Sequence, residues 1–461
     1  MKQYDIIIVG SGASGVFMSY ELAKLNTGAK VLVLDKGSRL EDRICPIKAG
    51  KTKTCVKCNP CHIMNGYGGA GTLSDGKYNI TTQFGGDLHN YVGVDKAMEL
   101  MEYVDEVLCS MGGADAKLYS TGNSELKTEC LKHDLHLLEA KVRHLGTDRN
   151  VRILGKMYDY CKDRIDMEFH TVIEDVEVQE DGSFVVKTDK GEEFGCRDLV
   201  LATGRSGSKW IAQMCDKLGV EQKKNRVDIG VRVELPAEVF KHITDDVYES
   251  KIIYKTDKYN DMVRTFCMNP YGEVVSENTN GIVTVNGHSY DDPSLHTKNT
   301  NFALLVSNHF TEPFDDSNEY GESIAKLSNM LGGGVLLQRF GDLVKGRRSS
   351  ERRMRKCFTQ PTLQATPGDL SLVIPKRQLD DIIEMIYALD KIAPGTANED
   401  TLLYGVEVKF YNSVVKVDEN LETSVPNMYA LGDGSGVTHS LSQASASGVH
   451  VARILAEKYA R

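Results

Sequence analysis

No run of about 18 apolar residues occurs anywhere in the 461-residue chain, so no segment reads as a membrane-spanning helix. A basic excess is missing as well: the formal net charge is −10. Nucleic-acid binders usually carry the opposite balance, so that class of partner starts without support. Met1-Lys2-Gln3-Tyr4-Asp5 leads straight into a hydrophobic strand, with neither the apolar core nor the cleavage site of a secretory leader. The expectation is a cytoplasmic protein with no membrane partner. H-E-x-x-H, a P-loop and a Ser-His-Asp order are absent too, which removes three common hydrolytic chemistries. What remains, 41% apolar and 26% charged residues, is an ordinary globular composition, long enough for roughly two to three domains' worth of core.

The N-terminus carries the strongest local pattern. Tyr4 to Val9 is a β-branched apolar run, as expected of a strand buried on both faces of a parallel sheet. Gly10-Ser11-Gly12-Ala13-Ser14-Gly15 follows, then a helical pattern with Val16, Tyr20 and Ala23 on one face. A second strand, Lys30 to Leu34, ends at Asp35 and Lys36. In such a unit Gly10 permits a tight turn, Gly12 lets backbone approach a pyrophosphate, and Gly15 allows close helix–strand packing. The helix N-terminus offers free N–H groups to phosphate. Asp35, twenty residues after Gly15, stands where an acid accepts hydrogen bonds from a ribose.

That motif does not separate FAD from NAD. Near the other end, Asn427-Met428-Tyr429-Ala430-Leu431-Gly432-Asp433-Gly434 is a short strand ending in Gly-Asp, and an alanine-rich helix runs from Gln443. Asp198-Leu199-Val200-Leu201-Ala202-Thr203-Gly204 is a third strand end. Together these resemble the glutathione-reductase-like flavoprotein superfamily. The resemblance implies FAD, with Asp433 on the ribityl chain, Gln443 and Ala444 opening a helix toward the flavin, and Ala202, Thr203 and Gly204 lining the site. It also implies backbone contact between Val172 and adenine, and a glycine-rich loop, Gly68, Gly69, Thr72, Leu73 and Ser74, along the cofactor. A positive helix end would stabilise negative charge on reduced flavin.

No second G-x-G-x-x-G follows another strand. Gly332-Gly333-Gly334 lacks the spacing and reads as a helix C-cap. The chain therefore resembles the branch with one nucleotide domain, and more closely the bacterial FAD-dependent dehydrogenase-like proteins. The segments that carry this are Gly66–Lys77, Gly230–Glu234, Arg264–Cys267, Asn286–Ser289 and Asn299–Ala303. The resemblance implies a fold but no particular substrate.

Four of the eleven cysteines crowd together: Cys45 before a proline, then Cys55-x-x-Cys58-x-x-Cys61. The set resembles the ligands of bacterial ferredoxins in permuted order. Lys48, Lys51, Lys53 and Lys57 lie among them, and cations favour thiolates. A [4Fe–4S] cluster, a structural zinc site, a redox-active dithiol and unmetallated thiols all fit this pattern.

The expected fold is α/β. A discontinuous Rossmann-type FAD-binding domain (1–94, 150–215, 405–461) accompanies an α+β domain with an antiparallel sheet (225–404) that caps the substrate. Residues 95–149 read as a helical insertion, with Met98, Met101, Val104, Leu108 and Met111 at helical spacing for packing. His439, beside the Gly-Asp motif, and His288 and Cys267, in the second domain, are the candidate proton carriers. Lys345 to Lys356 holds seven cations and one acid: a solvated face, or a dock for an acidic electron donor such as ferredoxin. The leading function is an FAD-dependent oxidoreductase of a small organic substrate, with electrons entering through the cysteine-bound centre. A thiol–disulfide or tRNA-modifying flavoenzyme and a non-enzymatic redox sensor are the alternatives.

Overall fold

The computed structural model describes residues 1–460 apart from 47–48, 52–55, 57, 75, 123, 248–249, 280, 291–292, 312, 315 and 412. The chain forms two compact units. One comprises Met1–Leu118, Ala140–Lys223 and Asn412–Arg461; the other comprises Tyr119–Glu139 and Lys224–Tyr411.

The first unit is built on a seven-stranded sheet. Asp166–Glu168, Val31–Leu34, Lys2–Val9 and Glu193–Leu201 lie side by side in parallel. Met428–Ala430 pairs in parallel with Leu199–Leu201, and Phe184–Thr188 and Ile173–Val178 extend the sheet antiparallel. Side chains alternate across a strand, so the apolar run at the N-terminus serves two cores. Ile6 and Ile8 pack with Val16, Phe17 and Val449, whereas Ile7 and Val9 pack with Leu199, Met428 and Ile211. Burial on both faces is why that run does not alternate with polar residues.

Helices Ala13–Leu25, Val94–Leu108 and Leu441–Tyr459 close the first of these cores. Met101, Val104 and Leu108 are buried there, so the methionine stripe is packing surface. The stretch 95–149 is shared between units rather than held together. Leu135–Leu137 pairs with Ile252–Tyr254, and Cys130, Leu135 and Leu137 join the core of the second unit, which draws Tyr119–Glu139 with them.

The second unit carries an eight-stranded sheet. Its order is Thr366–Pro367, Leu336–Arg339, Leu402–Phe410, Val227–Pro236, Asn299–Asn308, Met262–Asn269, Ile252–Lys255 and Leu135–Leu137. All neighbours are antiparallel except the first pair. Val227, Ile229, Val231, Val233 and Leu235 point into an apolar core shared with helix Lys376–Ile392. The intervening Asp228, Arg232 and Glu234 are equally buried on the opposite face. A charged face that is shielded from water must satisfy its own charges, and it does so through a dense hydrogen-bond network.

Helix Ser317–Gly332 ends on Gly333 in the left-handed region (φ 65°), the C-cap expected of that glycine cluster. Among the described residues no helix is long and apolar enough to cross a membrane.

Candidate functional site

The site lies within the first unit, where the two ends of the chain meet. Gly10 has φ 103°, and a Cβ there would lie 2.8 Å from the Ala202 carbonyl oxygen. A Cβ on Gly15 would lie 2.0 Å from the Gly10 carbonyl oxygen. Only glycine fits either place. Gly12 differs: a Cβ there would meet nothing within 4 Å, so the backbone ahead of helix Ala13–Leu25 borders open space. No side chain caps that helix at Gly12, and Ala13 and Ser14 form its first turn with N–H groups still available to a phosphate.

Asp35 ends the neighbouring strand and is buried. Its Oδ2 accepts from the Ser11 N–H and from Ser11 Oγ, each at 2.8 Å, and its Oδ1 accepts from the Gly37 N–H at 2.7 Å. The carboxylate thus pins the glycine turn. Beside it, the Lys36 ammonium donates to the Ser206 carbonyl at 3.2 Å, and burial holds its pKa below the usual lysine range against the pull of Asp35.

The second glycine-rich loop stacks on the first. Gly68 N–H donates to Ser11 O at 2.7 Å, and a Cβ on Gly69 would lie 3.0 Å from Gly12 Cα. Thr72 is buried and its hydroxyl donates to Tyr67 O at 2.8 Å; Ser74 Oγ donates to Gly71 O at 2.6 Å; Leu73 between them is half-buried.

Asn150 secures this loop from helix Thr147–Cys161. Its Nδ2 donates to Gly71 O at 2.8 Å and Thr72 O at 3.1 Å, and the residue is completely buried. No pattern in the sequence singles out Asn150, because its partners are backbone carbonyls nearly eighty positions away.

From the C-terminal side, Leu431 N–H donates to Leu201 O at 3.1 Å and Gly434 N–H to Thr203 O at 3.0 Å. Gly432 and Asp433 are thereby held against the Ala202-Thr203-Gly204 strand end. Asp433 is shared between two side chains: Arg205 Nε lies 3.2 Å from its Oδ2, and His439 Nδ1 lies 2.9 Å from its Oδ1. Burial would raise the Asp433 pKa, but the His439 hydrogen bond and the Arg205 charge outweigh it and hold the carboxyl below its ordinary range. An ionised carboxylate only accepts, so the His439 proton sits on Nδ1.

Helix Leu441–Tyr459 is capped by Ser440, whose Oγ accepts from the Gln443 N–H at 3.2 Å. The Gln443 side chain turns to the loop before it, donating to Thr81 O and Phe84 O and accepting from Leu88 N–H. Ala444, beside it, is buried. Val172 is likewise engaged within the protein: its N–H donates to Asp189 Oδ1 at 3.1 Å and its carbonyl accepts from Asp189 N–H at 3.0 Å.

Three buried hydroxyl oxygens, of Thr203, Thr438 and Ser442, have no hydrogen-bond partner among the described residues. Of these, Thr203 lies at the strand end against Gly10, where an unsatisfied polar atom fits a polar dinucleotide.

Of the remaining sequence candidates, Cys45, Cys58 and Cys61 are half-buried free thiols in this unit, and Cys55 lies outside the described residues. Among the described residues no three metal-binding side chains come together. Arg43 braces the segment: Nε donates to His62 O, and the two terminal nitrogens donate to Ile63 O and Tyr67 O. Burial pulls its pKa to about 10, partly offset by Asp35 and Cys61. His288 and Cys267 belong to the second unit. His288 packs edge-on against Tyr290, and Cys267 has φ 44° at a bulge, with its carbonyl accepting from Arg232 and Asn269.

Two family models match this chain. Residues 8–41 match an NAD(P)-binding Rossmann-like domain, and residues 226–410 match the FAD-dependent protein, C-terminal domain-like family. Over residues 226–410 the chain is thus similar to FAD-dependent proteins. A Clostridium beijerinckii protein, described as an "Uncharacterized protein", is 26% identical over 478 aligned positions, covering 98% of this chain and 81% of its own. Among solved structures, glycine oxidase from Geobacillus kaustophilus is similar at 12% identity and a TM-score of 0.42, over 99% of this chain and 95% of that one. The 3-ketosteroid-delta4-(5alpha)-dehydrogenase from Rhodococcus jostii RHA1 is similar at 13% identity and a TM-score of 0.45, over 100% and 97%.

Proposed function

We propose that this protein is a reductase or dehydrogenase of a small organic substrate, built on the single-nucleotide branch of the glutathione-reductase-like flavoproteins. One observation carries the reading: Gly10–Gly15 and Gly432–Asp433, from opposite ends of the chain, both abut the Ala202–Thr203 strand end. FAD supplies hydride and electron chemistry when bound. The chain supplies position, charge and protons. The backbone ahead of Ala13 receives phosphate, Asp35 keeps the turn in place, and Asp433 offers a carboxylate to a polyol. The His439 Nδ1 proton is held by Asp433, which fixes the orientation of the ring beside the Gly-Asp motif.

In the finer part of the reading, Cys45, Cys55, Cys58 and Cys61 would hold a [4Fe–4S] centre, which would supply one-electron transfer. It is supported by the ligand spacing and by Arg43, a buried cation that ties the carbonyls just after Cys61 to the glycine loop at Tyr67. An acidic donor such as ferredoxin would suit the Lys345–Lys356 segment, although Asp342 and Glu399 already neutralise part of it through Arg347 and Lys345.

The test is an absorption spectrum with iron, sulfide and zinc analysis on protein kept free of oxygen, followed by stopped-flow reduction. A flavin spectrum, stoichiometric iron and reduction by ferredoxin but not NADPH are expected. A colourless protein that takes up no FAD overturns the whole reading. Zinc without iron overturns only the cluster.

A further inference from the structure

Positive charge gathers along one edge of the second unit's sheet. Residues 339–373 hold eight Lys and Arg against three Asp and Glu, in a chain whose net charge is −10. Half of these cations are neutralised within the protein. Arg339 pairs with Asp400, Lys345 with Glu399, and Arg347 with the fully buried Asp342 at 2.7 Å, which Arg353 approaches to 3.8 Å. The other four are Arg348, Arg352, Arg355 and Lys356, and all are exposed. None of the four has an ion pair among the described residues, and Arg348 reaches only the Ser349 carbonyl. The acids left in the segment are Glu351, also unpaired, and Asp369, which accepts from Ser371.

These free cations stand on a fixed backbone. Ser349 is buried: its N–H donates to Gly368 O at 2.9 Å, its hydroxyl donates to Asp342 at 2.8 Å and accepts from the Arg339 N–H at 2.9 Å. Arg353 donates to the Arg348 carbonyl at 2.8 Å, tying that residue to the helical turn Glu351–Met354. Met354, Cys357 and Thr359 point inward and are buried. Phe358, between the last two, points outward and is 82% exposed, while its N–H is held by Asp400 Oδ2 at 2.8 Å. A lone exposed apolar side chain is ordinary. Phe358 differs because its backbone is anchored and its near neighbours in the chain are unpaired cations.

The size of the patch selects the class of partner. Nucleic acid is typically held through about six to ten phosphate contacts, more than four free cations supply. A membrane-surface helix needs a whole apolar face, of which one ring is a small part. A protein interface asks for a few steering charges around an apolar anchor, and arginine and aromatic residues are its commonest hot spots. We infer that Arg348, Arg352, Arg355 and Lys356, together with Phe358, form the docking surface for an acidic protein. Its carboxylates pair with the four free cations, and its apolar contact covers the Phe358 ring. The surplus of acid over the rest of the chain repels such a partner and directs encounter to this patch. Identifying that protein as the electron donor rests on the oxidoreductase reading above; the docking does not.

The experiment is calorimetric titration of the full chain, loaded with FAD, with an acidic bacterial ferredoxin over a series of salt concentrations. Poly(U) and phosphatidylglycerol vesicles are titrated in parallel. Ferredoxin should bind, more weakly as salt rises. Arg352→Glu with Arg355→Glu should weaken it about tenfold or more, and Phe358→Ser should weaken it without changing the salt dependence. Lys132→Glu, just before Leu135–Leu137 at the opposite edge of the sheet, should have no effect. The altered side chains at 352, 355 and 358 are exposed, so melting temperatures should stay unchanged. No ferredoxin binding by wild type, equal affinity in the double variant, or tighter binding of poly(U) or vesicles through the same arginines overturns the surface. Stopped-flow reduction separates the two readings. Docked ferredoxin that never reduces the flavin upholds the surface and overturns the donor. Unchanged reduction rates in the double variant uphold the donor and overturn the surface.

Discussion

Gly448 touches Ser14 across the two chain ends: a Cβ on Gly448 would lie 2.1 Å from the Ser14 carbonyl oxygen. The C-terminal helix therefore rests directly on the helix that opens the phosphate turn. Gly448→Ala must push the helices apart, and overpacking of this kind costs about 1–3 kcal/mol. The expected outcome is a lower melting temperature and weaker FAD retention on gel filtration. An unchanged melting temperature would show that the two helices separate freely.

Asn150→Ala should loosen the second glycine loop. The substitution leaves the Gly71 and Thr72 carbonyls without their buried donor, at about 1–3 kcal/mol. The loss should appear in the FAD dissociation constant, by about tenfold or more, alongside a modest drop in stability. A stability loss with FAD affinity unaltered would remove Asn150 from the site's support.

Arg232 and Glu407 predict a different signature. Removing one partner of a buried ion pair strands the other, at about 3–5 kcal/mol. Arg232→Met should be severely destabilising in urea, and Arg232→Met with Glu407→Gln should recover part of the loss. Additive effects in this double-mutant cycle would show that the two side chains act independently.

Asp381 supplies a pH test. It is fully buried, and desolvation, with Asp261 close by, pushes its pKa up from 3.8 to about 6. Below 3.8 the group is neutral folded or unfolded. Between about 4 and 6 the unfolded chain ionises first, so stability falls as pH rises through that window and levels off above it. Asp381→Asn should stabilise the protein at pH 7 by about 1–3 kcal/mol and leave it unaffected at pH 3.5. Chemical denaturation at the two pH values checks this, and equal effects at both would rule out ionisation of Asp381 as the cause.

Much of the fold was legible locally. The run Tyr4–Val9, the glycines at 10, 12 and 15, the strand to Asp35, and the strand ends at Ala202 and Gly432 announce a dinucleotide fold because each residue type answers a nearby steric or burial demand. The antiparallel sheet expected in the second domain is present as well.

Other features depended on partners far away in sequence, and only the tertiary structure decided them. Asn150 and Arg43 hold loops through backbone carbonyls, which leave no mark on residue type. Gln443 and Val172, placed at the cofactor by resemblance, direct their hydrogen-bonding groups to protein partners here. Residues 119–139 follow Leu135–Leu137 into the second unit, since strand pairing across more than a hundred residues cannot be read from the strand itself. Residue identity determines what a site can contain; the three-dimensional path of the chain determines which of those groups are already satisfied and which are left to meet a ligand.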